Sequence, residues 1–296
     1  MAFAGSNQLQ FANLQKATVD IGGSTKHLKP DGQRVYLNDG KFPNSVFTWP
    51  KLSDSKARAC VSIRPPLWEL INPHRYPGLA TELDNFLKAA PGGPTSLVGL
   101  WHEASTNGPG GVYNKKSTPA GYFDYLNTHF RSQGGAAGLL RQAQTFVQKR
   151  ARHLHANVKV GAIEVVNTAD VPKLHKHLDK WMANNLDFYA CDVYDSREGD
   201  AVPADLLGAF QTVVKDHMTD GKRPAIGITE TNSRFPGRRP FWFTAAWSWL
   251  KANGHTSNSV CFLTYWNAHG IESGAWIPDD WATIDSLYGI LAQSAP

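Results

Sequence analysis

Two apolar runs in this chain end in a glutamate. One is Ser96-Leu97-Val98-Gly99-Leu100-Trp101-His102-Glu103, which opens into a polar stretch from Ala104, and the other is Pro224-Ala225-Ile226-Gly227-Ile228-Thr229-Glu230, followed by Thr231-Asn232. Each reads as a buried strand that carries a carboxylate to its C-terminal end. Packing gives little reason for that placement, because ionised side chains are almost never fully buried without a partner. Two such groups brought to one mouth form a paired-carboxylate site, in which one protonates a leaving atom while the other attacks or activates water.

The rest of the chain must position them. Short apolar runs recur at 1–6, at 34–37 ahead of Asn38-Asp39-Gly40, at 59–64 ahead of Pro65-Pro66, and at 158–166, 187–194 and 259–266, which with the two glutamate runs makes eight strands. Helical spacing lies between them: Leu79, Leu83, Phe86 and Leu87 share a face, as do Leu139, Leu140, Ala143, Phe146 and Val147. Asp170 is placed to cap a helix carrying Leu174, Leu178 and Trp181, and a last helix presents Ile284, Leu287, Tyr288 and Leu291. Continuous apolar strands alternating with covering helices predict a parallel sheet, and eight units predict a (β/α)8 TIM barrel, a single domain over 1–296. A doubly wound open sheet is the alternative. It is disfavoured because no Gly-x-Gly-x-x-Gly follows an early strand.

Composition narrows the function. Hydrophobic residues make up 42 % and charged residues 19 %, an ordinary globular balance. A net charge of +5 without a basic block or a recognition signature argues against nucleic acid as a partner. No apolar run is long enough to span a bilayer, so no membrane association is expected, and no signal peptide is readable. Cys60, Cys191 and Cys261 each sit in an apolar run and read as buried free thiols. His153-x-His155 and His175-x-His177 point apart on helices, so neither a metal nor another cofactor is expected. The 10 Trp, 9 Tyr and 14 Phe are mostly core, with some left as flat surfaces on which a ligand could stack.

In the order and character of these motifs the chain resembles a clan A glycoside hydrolase, and most closely family 26, whose members include β-mannanases and related endo-β-glycanases. Most families of that clan have Asn before the acid/base of strand four, whereas family 26 has His; here the pair is His102-Glu103. By that resemblance Glu103 is the acid/base and Glu230, in Ile228-Thr229-Glu230, is the nucleophile. Tyr194, in Cys191-Asp192-Val193-Tyr194, corresponds to the tyrosine that hydrogen-bonds the nucleophile, and Trp266, in Tyr265-Trp266-Asn267, to the tryptophan beneath the sugar. The resemblance implies a retaining hydrolase acting on a β-linked polysaccharide or oligosaccharide such as β-mannan, and implies secretion, which no residue here encodes; a monomer is expected. The family commonly continues His-Glu with Met-Asn-Gly and an aromatic; the sequence here is Ala104-Ser105-Thr106-Asn107-Gly108, which sets its leaving-group side apart.

Other residues carry two readings. His102 is either a sugar ligand or a packed histidine, and Trp68, Trp101 and Trp276 are either sugar platforms or core. Asp192 and Glu164 lie inside strands and read as interior polar groups satisfied by neighbours. Tyr113, Lys115, Lys116, Arg234, Arg238 and Arg239 are expected on the cleft rim, which would favour an acidic or substituted glycan. The alternative function is a non-catalytic carbohydrate-binding protein or a degenerate barrel serving as an interaction module, because fold does not fix function.

Overall fold

The computed structural model describes residues 2–3, 18–21, 24–27, 32–37, 40–43, 47, 58–93, 95–106, 121–166, 178–195, 202–222, 225–233, 235–253 and 263–264. Six strands form a parallel α/β half-barrel: β4 (Gly32–Leu37), β5 (Arg58–Ile63), β6 (Ser96–Leu100), β7 (Val158–Val166), β8 (Phe188–Asp195) and β9 (Ile226–Ser233). Two-residue strands β10 (Leu263–Thr264) and β1 (Ala2–Phe3) continue it beyond β9, so the order of the sheet is β1-β10-β9-β8-β7-β6-β5-β4. The two ends of that order, β1 and β4, have backbone positions within 8 Å of one another. Outside the sheet, β2 (Thr18–Ile21) and β3 (Ser24–His27) pair as an antiparallel hairpin, which the hydrophobic pattern did not predict.

Helices lie between the strands. They are α1 (Leu67–Leu70), α2 (Pro77–Lys88), α3 (Tyr122–His129), α4 (Gly135–His153), α5 (Pro203–Asp216) and α6 (Arg239–Asn253). Proline opens α2 and α5 at the first helical turn, where its missing N–H would have had no partner. The predicted faces of α2 and α4 are the buried ones, with Leu83, Phe86 and Leu87 on the first and Leu139, Leu140, Ala143 and Val147 on the second. The expected last helix and the segment from Asp170 to Leu174 lie outside the described residues, while Leu178 and Trp181 are buried.

The alternation along each strand divides the core into two layers. Val61, Val98, Val160, Ile226 and Ile228 pack outward against the helices. Cys60, Leu97, Ile163, Phe188 and Ala190 form a separate inner cluster. A strand buried on both faces has no polar side to show, which is why each one read as a continuous apolar run. Cys60 and Cys191 are buried free thiols, and Cys261 lies outside the described residues.

Interior glycines let the inner layer close up. A Cβ at Gly161 would lie 2.4 Å from the carbonyl oxygen of Phe188, and one at Gly99 would lie 2.4 Å from Cδ1 of Ile163. The inner layer fills the lower part of the half-barrel and stops below the residues that end the strands. Polar residues take over above it.

Candidate active site

The inner face ends in chemistry. Following the inward positions upward, Cys60 leads to Ser62 and Arg64, Phe188 and Ala190 lead to Asp192 and Tyr194, and β4 contributes Tyr36 between the outward Val35 and Leu37.

Strand β9 departs from simple alternation. Cys191 pairs with Ile228 but Asp192 pairs with Glu230, so one extra residue, Thr229, is inserted opposite β8. Ile228 packs in the outer core with Trp242, and Thr231 accepts a hydrogen bond from Nε1 of the same Trp242 at 2.9 Å. Two outward residues three positions apart leave both Thr229 and Glu230 on the inner side, which is the effect of a β-bulge. Thr229 donates to Oδ1 of Asp192 at 2.5 Å.

Glu230 is 4 % exposed, and its two oxygens are held separately. The hydroxyl of Tyr36 donates to Oε1 and that of Tyr194 to Oε2. Two donors favour the charged carboxylate and fix its plane. Tyr194 was expected beside Glu230; Tyr36 was not.

Glu103 stands beyond the end of β6, not on it. The strand stops at Leu100, and both Trp101 and Glu103 adopt left-handed backbone, with φ of 47° and 55°. Side chains disfavour that region by roughly 1–2 kcal/mol per residue, so the turn needs external support. The Trp101 N–H donates to Ile63 O at 2.9 Å and the Glu103 N–H to Ile163 O at 2.8 Å, stitching the turn to the strands on either side. Between them His102 is 7 % exposed, with its ring 5.1 Å from that of Tyr36. The Trp-His-Glu turn therefore reaches Glu230 through one tyrosine.

Arg64 is the cation of this group. Burial pulls its guanidinium down to about 10, against the opposing field of Glu103, so the two lie close enough to interact. Glu164 is buried at 1 % exposure and accepts from the Ser105 N–H at 3.0 Å. Burial is the main reason its carboxyl is pushed up to about 8.

The tryptophans divide differently. Trp101 is 8 % exposed, donates from Nε1 to Pro65 O at 2.7 Å, and stacks on Tyr122 at 5.4 Å, so its indole belongs to the packing between sheet and helices. Trp68 is half-buried against Phe130, ring centroids 4.5 Å apart. Trp266 and Trp276 lie outside the described residues. The expected cationic rim is corrected in part: Arg239 is 1 % exposed and donates from Nε to Ser233 O at 3.0 Å, and Arg238 pairs with Asp195 Oδ2 at 3.0 Å. Tyr113, Lys115, Lys116 and Arg234 lie outside the described residues. Among the described residues no helix is long and apolar enough to cross a membrane, and no group of three or more His, Cys, Asp or Glu is placed to hold a metal ion.

Neither protein-family models nor curated protein sequences match this chain. Solved structures do. A modular endo-β-1,4-mannanase of glycoside hydrolase family 26 from Cellulomonas fimi aligns over 100 % of this chain and 70 % of its own at TM-score 0.52 and 13 % identity. The GH53 catalytic domain of Ignisphaera aggregans aligns over 98 % and 94 %, and the catalytic core of a xylanase A over 98 % and 96 %, each at TM-score 0.52 and 11 % identity. At such identities the likeness is one of fold: the chain shares the parallel α/β architecture of these three structures.

Proposed function

We propose that the chain is a retaining glycoside hydrolase that cleaves a β-linked polysaccharide, with Glu230 as nucleophile and Glu103 as acid/base. The observation that carries the reading is the treatment of the two strand-end glutamates. Glu230 has a tyrosine donor on each carboxylate oxygen, and Glu103 sits on a strained turn beside Arg64 and next to His102. A carboxylate held charged and oriented suits attack on an anomeric carbon, while a second carboxyl at the facing turn suits proton transfer.

In the first step an oxygen of Glu230 forms a bond to the anomeric carbon as the glycosidic C–O bond breaks, and Glu103 gives its proton to the departing oxygen. In the second, Glu103 takes a proton from water as that water displaces Glu230, which leaves the anomeric configuration unchanged. Retention requires carboxyls about 5–5.5 Å apart. His102 and Tyr194 complete the sugar-binding wall in this reading, and Trp266 its floor. The eight strands, in consecutive order and with β1 approaching β4, support closure into a single-domain (β/α)8 barrel whose active groups line the C-terminal mouth. The resemblance to family 26 makes β-mannan the first substrate to try.

The experiment is reducing-sugar release from β-mannan, xylan, mixed-linkage β-glucan and an acidic glycan by the wild type and by Glu230→Ala. Release by the wild type alone is expected and names the substrate. If neither protein releases sugar but one polysaccharide retards both on a native gel, the chain is a carbohydrate-binding module.

A further inference from the structure

The turn that carries Glu103 is stitched to β7 twice, and the second stitch is a side chain. The first is the Glu103 N–H to Ile163 O at 2.8 Å. The second comes from the next residue of β7: Oε2 of Glu164 accepts the Ser105 N–H at 3.0 Å. Within the turn, the Thr106 N–H and hydroxyl both donate back to the Glu103 carbonyl, at 3.1 and 2.9 Å. One carboxyl thus holds the backbone at 105, two residues after the left-handed residue at 103.

Glu164 does not face the candidate site. It stands in the outward register of β7, with Ala162 and Val166 on either side, whereas Ile163 belongs to the inner cluster. A substrate on the inner face cannot touch it. Its burial beside Asp192 is unfavourable, since both desolvation and the neighbouring carboxylate oppose its charge. An apolar residue at this outward position would pack with the rest of the layer at no such penalty. What an apolar residue could not do is hold the backbone of the turn.

We propose that Glu164 is a positioning residue for Glu103, the acceptor that keeps the turn in its left-handed conformation and so aims the acid/base carboxyl at the scissile bond. The proposal rests on the glycosidase reading for its catalytic consequence but not for its structural one. A general acid contributes about 10²–10⁴-fold, and a misplacement of about 1 Å can forfeit about 10²-fold of rate. Loss of the anchor therefore weakens the proton donor and spares the nucleophile.

The test compares Glu164→Leu, Glu164→Asp and Glu164→Gln with the wild type. Turnover is measured on an aryl β-glycoside with an activated leaving group and on an unactivated oligosaccharide, alongside amide hydrogen exchange of the 101–106 peptide. Glu164→Leu removes the acceptor, Glu164→Asp withdraws it by one methylene should the leucine variant fail to fold, and Glu164→Gln keeps an oxygen in place. The expected result is a loss of about 10²-fold in kcat on the oligosaccharide for the first two, with KM unchanged, less than about tenfold on the activated glycoside, and recovery to within about threefold in Glu164→Gln. Exchange at 101–106 should rise in the first two variants and return to the wild-type rate in the third. Equal losses on both substrates, or unchanged exchange at 101–106 in Glu164→Leu and Glu164→Asp, overturn the proposal. If the wild type hydrolyses no β-glycoside, the glycosidase reading fails, and the exchange measurement alone still decides whether Glu164 holds the turn.

Discussion

The hydroxyl of Tyr36 donates to Oε1 of Glu230 across 194 positions of sequence and from a strand five places away in the sheet order. Neighbouring strands lie about 4.8 Å apart, so in a flat sheet these two would be separated by roughly 24 Å. The bond exists because the sheet curls, and the curl converts distant strand ends into one site.

The first prediction concerns the two donors on that carboxylate. Hydrogen bonds to a charged group contribute about 1.5–3 kcal/mol, which corresponds to roughly 10–150-fold in rate if they strengthen toward the transition state. Tyr36→Phe and Tyr194→Phe should each lower kcat by about that factor with intact folding by circular dichroism. Because the two hydroxyls act on one carboxylate, the double variant should lose less than the product of the single losses. Full additivity would mean that the tyrosines act on different things.

A second prediction follows from Glu164. Desolvation pushes its carboxyl from 4.5 up to about 8, opposed by the donors of Ser105 and reinforced by Asp192. Between those values the folded protein keeps a proton that the unfolded chain releases. The stability this group contributes is whole below 4.5, declines as pH rises, and is gone above about 8. The slope for one such proton is at most about 1.4 kcal/mol per pH unit. Glu164→Gln cannot ionise, so denaturant unfolding at pH 5, 6.5 and 8 should show its stability rising relative to wild type at each step. A difference that stays flat would mean that the carboxyl does not titrate in this window.

The interior glycines give a third. At Gly161 a methyl group meets the Phe188 carbonyl at 2.4 Å and its ring at 2.6 Å, and that carbonyl belongs to the strand paired with Gly161. At Gly99 the obstacle is the far end of Ile163, which can rotate away. Overpacking typically costs about 1–3 kcal/mol, so Gly161→Ala should destabilise by that amount or more and Gly99→Ala by about 1 kcal/mol or less, read from urea midpoints. Equal losses would show that the Ile163 side chain is as fixed as the backbone.

Much of the fold was legible because a strand buried on both faces is apolar at most of its positions. Six of the eight expected runs are the strands β4 to β9, in sequence order, and the runs at 1–6 and 259–266 hold the two-residue strands β1 and β10. Boundaries were less legible. The run to Glu103 reads as one strand, yet β6 ends at Leu100 because Trp101 and Glu103 turn left-handed, a choice that neither residue type announces. Strand β9 runs on to Ser233, past the point where Thr231 and Asn232 read as loop, because Thr231 and Ser233 find partners in Trp242 and Asp195. The β2–β3 hairpin carried its own signal in Gly22-Gly23, unused because its flanks are too polar to look like core.

Within the site, strand-end glutamates could be read from the sequence and their neighbours could not. Tyr36 lies in a short run near the start of the chain, and only the curl of the sheet says which carboxylate it meets. Trp101 follows the apolar run as directly as His102 does, but its left-handed backbone turns the indole into the outer packing beside Tyr122 and Phe123. Arg239 has a rim residue's chemistry and a core residue's burial, because it opens α6 and donates to the end of β9.

The single inserted residue at Thr229 acts on its strand as a half-period slip acts on a wave. Below it, odd positions of β9 face inward; above it, odd positions face the helices. Glu230 sits at the node, so its direction is set by the length of the strand and not by its own identity. Were the strand to run through Thr229 in regular pairing, without the bulge, the same letters would place Glu230 in the outward register, toward the packing of the helices, where Tyr36 and Tyr194 could no longer reach it.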